Sequence, residues 1–301
     1  MFTGRILDAM NFYERWRTTL DGVVVSERSV APAMTGRIVV GFLLAAGGIA
    51  TMFYPVAFYL LILAIGLGCL YELNALCKIK GQELEYPVAV FGTAAYIVLA
   101  ALGRLHKWEG VLLAAIVLAT FWIGMYGEQK GYFARTAYTL LAVLYLGKSL
   151  TYFAFIREIP QTGLWLTIYV VVLIALTDIL GMVVGSFAGR HQLTRISPKK
   201  TVEGSVGSLL LVSAVGALLT LRPELQLTWW QGLVIAAITS IAAQAGDLVE
   251  SALKRDAGVK DAGSAIAGHG GVLDRFDSYL FGGMAFFGAL HLVGVLQVPP
   301  Q

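Results

Sequence analysis

Charge is what this sequence has least of. Only 14% of its 301 residues are Asp, Glu, Lys or Arg, against about 25% in an ordinary soluble chain. At the same time 57% are apolar and the mean hydropathy is +0.74. Charges this sparse cannot cover a water-facing surface, which excludes a soluble globular enzyme and a disordered chain. A formal net charge of +3 also excludes a nucleic-acid binder that relies on a broad basic surface. Cysteine is scarce too. Cys69 and Cys77 lie in one apolar stretch with no CxxC and no nearby histidine, which argues for core thiols and against a disulfide framework or zinc site. The N-terminal segment lacks the short apolar core and cleavage site of a signal peptide. Residues 1–37 are polar and mixed in charge, and read as a cytoplasmic or interfacial segment. No soluble linker, low-complexity run or internal repeat divides the remainder, so residues 38–301 read as a single integral membrane domain.

Long apolar stretches fill that remainder. Nine can be read, at roughly 38–54, 56–77, 87–103, 110–127, 132–156, 163–187, 205–221, 229–253 and 278–298, each near the ~20 residues of a membrane-spanning helix. The fold class is therefore all-α and polytopic. With the N-terminus inside, seventeen Lys and Arg residues fall on the cytoplasmic side and four outside, with Lys148 within a span. That bias predicts nine spans, N-in and C-out. Trp229 and Trp230 then sit at the outer interface, where an aromatic belt belongs.

The few charges are not evenly spread. Residues 247–277 hold ten of them in 31 positions. Gln244, Asp247, Glu250, Ser251 and Lys254 recur at helical spacing and share one face. Two carboxylates on one face of a membrane helix demand a cationic partner. Asp274 and Asp277, three apart, face one way at the start of the last apolar stretch, where capping explains one aspartate. Hard oxygen ligands select Mg²⁺, lysine and arginine bind phosphates, and glycines such as Gly268, Gly270 and Gly271 let a backbone approach an anion closely. His269 within that turn can donate to a phosphate or carry a proton. Together these residues describe a metal-nucleotide or phosphoryl-transfer site.

A second polar stretch, Ser197-Pro198-Lys199-Lys200-Thr201, sets two cations and two hydroxyls around a turn. It reads either as a phosphate contact or as a plain positive-inside loop. Asp178 is the sole acid of its apolar stretch, which points to a functional role over a hydrogen bond to a neighbouring helix. Gly147-Lys148-Ser149 ends like a P-loop, but Ala142 stands where the first glycine is required, so no Walker site is present. Lys148 is left as an intramembrane cation facing protein or headgroups.

Ser251-Ala-Leu-Lys254-Arg255, Lys260-Asp261-Ala-Gly263 and Gly268-His269-Gly270-Gly271-Val-Leu-Asp274-Arg275-Phe-Asp277 resemble in register the signature of the phosphatidate cytidylyltransferases (CDP-diacylglycerol synthases). Ser197–Gly204, Gln244–Ser251 and Asp178 agree with the same pattern, so the resemblance is specific over about 178–280, the catalytic part. Ala267 departs from the proline usual at its position. The resemblance implies transfer of a cytidylyl group from CTP to phosphatidic acid at the bilayer, with Mg²⁺ and a second cation left open. It implies Asp247 and Asp274 as principal metal ligands, with Asp277 as a further contact. Lys254, Arg255, Lys260, His269 and Arg275 then belong to the catalytic set. Asp178, Ser197, Lys199, Lys200, Thr201, Glu250, Ser251, Asp261, Gly270 and Gly271 bind substrate. Some members of the family are homodimers, and none of these roles involves nucleic acid. The site then faces the cytoplasm from an inner or plasma membrane.

Three rival readings are weaker. A transporter would carry its acids near the midplane in broken, repeated helices, whereas here only Asp178 and Lys148 lie well inside. Another lipid phosphotransferase of the CDP-alcohol type would need an acidic pattern that is absent. An inactive paralogue would have little reason to keep every acid and base.

Overall fold

The structure is a computed structural model that describes residues 46–126, 130–263 and 270–296. Residues 1–45 lie outside it, with the N-terminal segment and the first eight residues of the first apolar stretch. Residues 46–52 are helical. Eight helices follow: α1 (Pro55–Ile79), α2 (Tyr86–Ala101), α3 (Leu105–Gly124), α4 (Tyr132–Arg157), α5 (Gly163–Ala188), α6 (Val202–Leu219), α7 (Trp229–Asp256) and α8 (Leu273–Leu292). Each answers to one of the last eight apolar stretches. No strand occurs among the described residues, only an isolated bridge between Gln192 and Thr201.

Proline and glycine mark the ends as their chemistry requires. Pro55 opens α1, where its missing N–H costs nothing. Gly258 (φ +74°) turns the chain off α7, its N–H returning to the Arg255 carbonyl. Within α4, residues Val143–Lys148 form a π-helical turn.

Six helices are long and apolar enough to cross a membrane: α1, α3, α4, α5, α6 and α7. The expectation of nine spans is thus met in six of the described helices. Helix α2 is apolar but has 16 residues. Helix α8 is not among the six, and it begins with Asp274, Arg275 and Asp277. Leu60, Leu118, Met182, Phe187, Leu210 and Leu218 are exposed along the bundle, an apolar exterior suited to lipid and not to water. The chain is an integral membrane protein.

Helix α7 packs along α8 and α6, and α5 packs on α6. Helix α8 also touches α4 and α1 and so joins the two halves of the molecule. Gly282 lies against Ile174 of α5 and Gly283 against Phe153 of α4. The core there is filled by Leu173, Ile235, Leu280 and Phe286, all fully buried.

Candidate active site

Two close helix crossings build the site. At the first, a Cβ on Gly204 of α6 would stand 2.7 Å from the Gly181 carbonyl of α5. The two backbones therefore touch, as small residues allow in membrane helices. The connecting segment 189–201 folds back on itself. Leu193 N–H donates to the Lys200 carbonyl (2.8 Å) and Val202 N–H to the His191 carbonyl (2.9 Å). Thr201 caps α6 by accepting from Gly204 N–H at 3.1 Å. Glu203 accepts from the N–H groups of Arg190 (3.0 Å) and His191 (3.2 Å). So held, the segment sends Lys200 to Asp247 of α7, Nζ to Oδ2, at 2.5 Å.

At the second crossing, a Cβ on Gly246 would meet the Asp277 carbonyl oxygen at 2.6 Å, so α8 lies directly on the α7 backbone beside Asp247. The carboxylates of Asp178, Asp247 and Asp277 come near enough for their charges to act on one another, and Lys200 and Lys254 act on them as counter-charges. Ser278 Oγ donates to Asp178 (3.3 Å), Ser251 Oγ to Asp247 (3.4 Å), and Ser278 N–H to Asp277 (2.6 Å). Asp277 is buried, Asp247 half-buried and Asp178 exposed.

A third acidic group lies deeper. Lys254 Nζ is 2.5 Å from both Asp274 Oδ1 and Glu250 Oε2, the latter an ion-pair contact outside hydrogen-bond angles. Asp274 Oδ2 also accepts from Gly271 N–H (2.9 Å) and Ala262 N–H (3.1 Å). Gly270, at φ +83°, makes the turn that brings Gly271 there.

Asp274 is held by Lys254 on one oxygen and by loop N–H groups on the other, much as Asp247 is held by Lys200 and Ser251. Glu250 has no exposed surface and faces Lys254 from inside. Of the expected cations, Arg255 is turned to carbonyls, Nη1 to Val259 at 3.2 Å and Nε to Ile196 at 3.5 Å. It ties the 189–201 segment to the end of α7. Lys199, Lys260, Asp261 and Arg275 are exposed, and Ser197 is half-buried with its carbonyl accepting from Lys200 N–H. His269 and Gly268 lie outside the described residues. Cys69 and Cys77 are free thiols, and away from the site Lys148 pairs with Glu109 among the rings of Tyr96, Tyr152 and Phe155.

Sequence reasoning passed over Glu72 of α1. It is 2% exposed, and its carboxylate accepts from Val272 N–H (2.9 Å) and Leu273 N–H (2.7 Å), two hundred residues away. The signal was available, since an acid in an apolar stretch is functional by default, the rule that singled out Asp178. A second tie between the halves joins Lys80 to Asp256, and hydrogen bonding to that carboxylate holds the Lys80 ammonium above its ordinary pKa.

An all-helical membrane bundle that gathers lysine-neutralised carboxylates at the adjoining ends of α5, α7 and α8 has the build of an integral membrane enzyme acting on phosphate groups. The chain belongs to the cytidylyltransferase family, whose model matches residues 35–293. It is similar to the phosphatidate cytidylyltransferase of Bacillus subtilis, 35% identical over 230 residues, which are 74% of this chain and 85% of that protein. The phosphatidate cytidylyltransferase of Staphylococcus haemolyticus is 33% identical over 70% of this chain and 82% of its own. That of Synechocystis sp. is 48% identical over 123 residues, 40% of this chain and 41% of its own.

Proposed function

We propose that this chain is a phosphatidate cytidylyltransferase, forming CDP-diacylglycerol and pyrophosphate from CTP and phosphatidic acid for phospholipid synthesis. The observation that carries the reading is the meeting of Lys200 and Asp247 at 2.5 Å, beside Asp178 and Asp277. A loop and three helices, distant in sequence, converge there.

In the reaction a phosphate oxygen of the lipid attacks the α-phosphorus of CTP in line, and the bond from that phosphorus to the bridging oxygen of the β-phosphate breaks. A phosphate monoester is largely ionised at neutral pH, so no residue has to remove a proton from it. The chain's task is to position two anionic substrates and to balance their charge. Lys199 and Lys260, both exposed, suit the triphosphate. Lys200 neutralises Asp247 and has the charge to pair with a substrate phosphate. Ser197 and Thr201 hold the turn that presents both lysines.

The donor set suits a divalent cation. Asp247, Asp274 and Asp277 offer hard carboxylate oxygens, with Asp247 and Asp277 close to Asp178 in a place where negative charge exceeds positive. Among the described residues no three acid, histidine or cysteine side chains are gathered tightly enough to hold an ion alone. Phosphate oxygens of the substrates would complete the coordination of a bound Mg²⁺, as that ion prefers. Mg²⁺ held there would neutralise the charge of the triphosphate and its leaving pyrophosphate.

We read residues 38–301 as one membrane domain with nine spans, N-in and C-out, in an inner or plasma membrane. The positive-inside bias supports a cytoplasmic site, where CTP is found. The test is transfer of label from CTP to lipid in membranes bearing the protein, with Mg²⁺ and phosphatidic acid. Asp247→Asn and Asp277→Asn are each expected to lower transfer by about a hundredfold or more, and full activity in both would overturn the assignment.

A further inference from the structure

The start of α8 has no cap of its own. The first N–H groups of a helix lack intrahelical partners and form its positive end, and here the capping position is held by Val272, whose side chain cannot accept a hydrogen bond. Glu72 of α1 supplies both acceptors, Oε1 to Val272 N–H and Oε2 to Leu273 N–H. Among the described residues this buried carboxylate has no cationic partner, so the two N–H groups are what offset its burial.

The fit leaves no slack. One turn before Glu72 on the same face of α1, a Cβ on Gly68 would be 3.4 Å from the Val272 side chain. A Cβ on Gly263 would meet Glu72 Oε1 at 2.6 Å, and one on Gly271 would meet Oε2 closer still. From the other side α7 presses on α8 at Gly246. A helix turns about 100° per residue, so any slip of this first turn swings Asp277 away from Asp247.

We infer that Glu72 is a positioning residue for cytidylyl transfer: from the otherwise anonymous first half of the chain, it fixes the height and rotation of α8 and so aims Asp277. A cap serving stability alone would lower the folded fraction and leave turnover by the folded protein unchanged. The inference rests on the assignment of Asp247 and Asp277 above.

The experiment compares purified Glu72→Gln, Gly263→Ala, Asp277→Asn and Glu158→Gln with the parent protein in CTP assays. Folded protein is quantified by gel filtration, and the temperature is kept well below each melting midpoint. Gln keeps the shape of Glu72 but turns one acceptor into a donor. Gly263→Ala crowds the same carboxylate and leaves Glu72 in the chain, so it decides the matter if Glu72→Gln does not fold. Both are expected to lower kcat per folded molecule at least tenfold, with KM for CTP changed less than threefold. Glu158→Gln removes the charge of the residue that accepts from Tyr59, also on α1 but far from the site, and is expected to leave kcat unchanged. Parent-like kcat in folded Glu72→Gln, or in Gly263→Ala where only that variant folds, together with an inactive Asp277→Asn, would overturn the clamp alone. An active Asp277→Asn would overturn the site assignment beneath it.

Discussion

Lys254 stands between two carboxylates, Glu250 one turn back on α7 and Asp274 across on α8, 2.5 Å from each. Removing one partner from a buried ion pair costs more than the pair contributes, because the other charge is left uncompensated. Lys254→Met is therefore expected to destabilise the protein by about 3–5 kcal/mol, read as a lowered unfolding midpoint in detergent. Adding Glu250→Gln, which removes the stranded buried charge, is expected to restore more than half of that loss. If the double variant were no more stable than the single one, Glu250 would not be the group that Lys254 neutralises. Asp274 belongs to the same local unit. With Lys254 on one oxygen and the Gly271 and Ala262 N–H groups on the other, it organises the loop that precedes α8.

At the scale of elements, the glycines decide which acids meet. The α5–α6 crossing at Gly181 and Gly204 sets where Lys200 points, and the α7–α8 crossing at Gly246 sets Asp247 beside Asp277. Gly204→Val places a Cβ 2.7 Å from the Gly181 carbonyl, an overpacking worth about 1–3 kcal/mol. It is expected to raise KM for CTP by shifting the 189–201 segment. Gly288→Ala on α8, whose Cβ meets nothing within 4 Å, is the matched control and is expected to leave KM and stability unchanged or slightly improved. Equal effects in the two would show that the crossing does not govern the loop.

These crossings also explain what could be read without a structure. Asp247, Asp274 and Asp277 stood out because a charge in an apolar sequence has few innocent uses. The Lys199–Lys200 segment stood out for its density of cations and hydroxyls. Which lysine serves which acid was not legible, because that depends on how closely two helices pass. Asp274 and Asp247 look equivalent in sequence, yet one pairs with Lys254 and loop amides and the other with Lys200. Glu72 carried the mark of an acid in an apolar stretch, but its partners are main-chain N–H groups two hundred residues away, and those leave no trace in composition or spacing. The helices themselves were legible in eight cases, with ends near those expected. Sufficiency for crossing a bilayer was not, since α2 is short and α8 opens with three charges.

For the whole molecule the open quantity is its orientation. Single cysteines placed at Lys199 and at Arg222 of a variant lacking Cys69 and Cys77 are expected to label from opposite sides of the membrane, the first from the cytoplasm. Labelling of both from one face would overturn the nine-span, N-in reading. The two halves, α1 to α4 and α5 to α8, meet mainly through α8, with Glu72 and the Lys80–Asp256 pair as polar ties. That arrangement bears on modularity. The second half carries every recognisable motif and looks as if it could be cut out and transplanted as a catalytic cassette. The carboxylate that seats its last helix sits near the start of the chain, however, so grafting that cassette behind a foreign set of apolar spans would yield a membrane-inserted protein with its acids in hand and no means of aiming them.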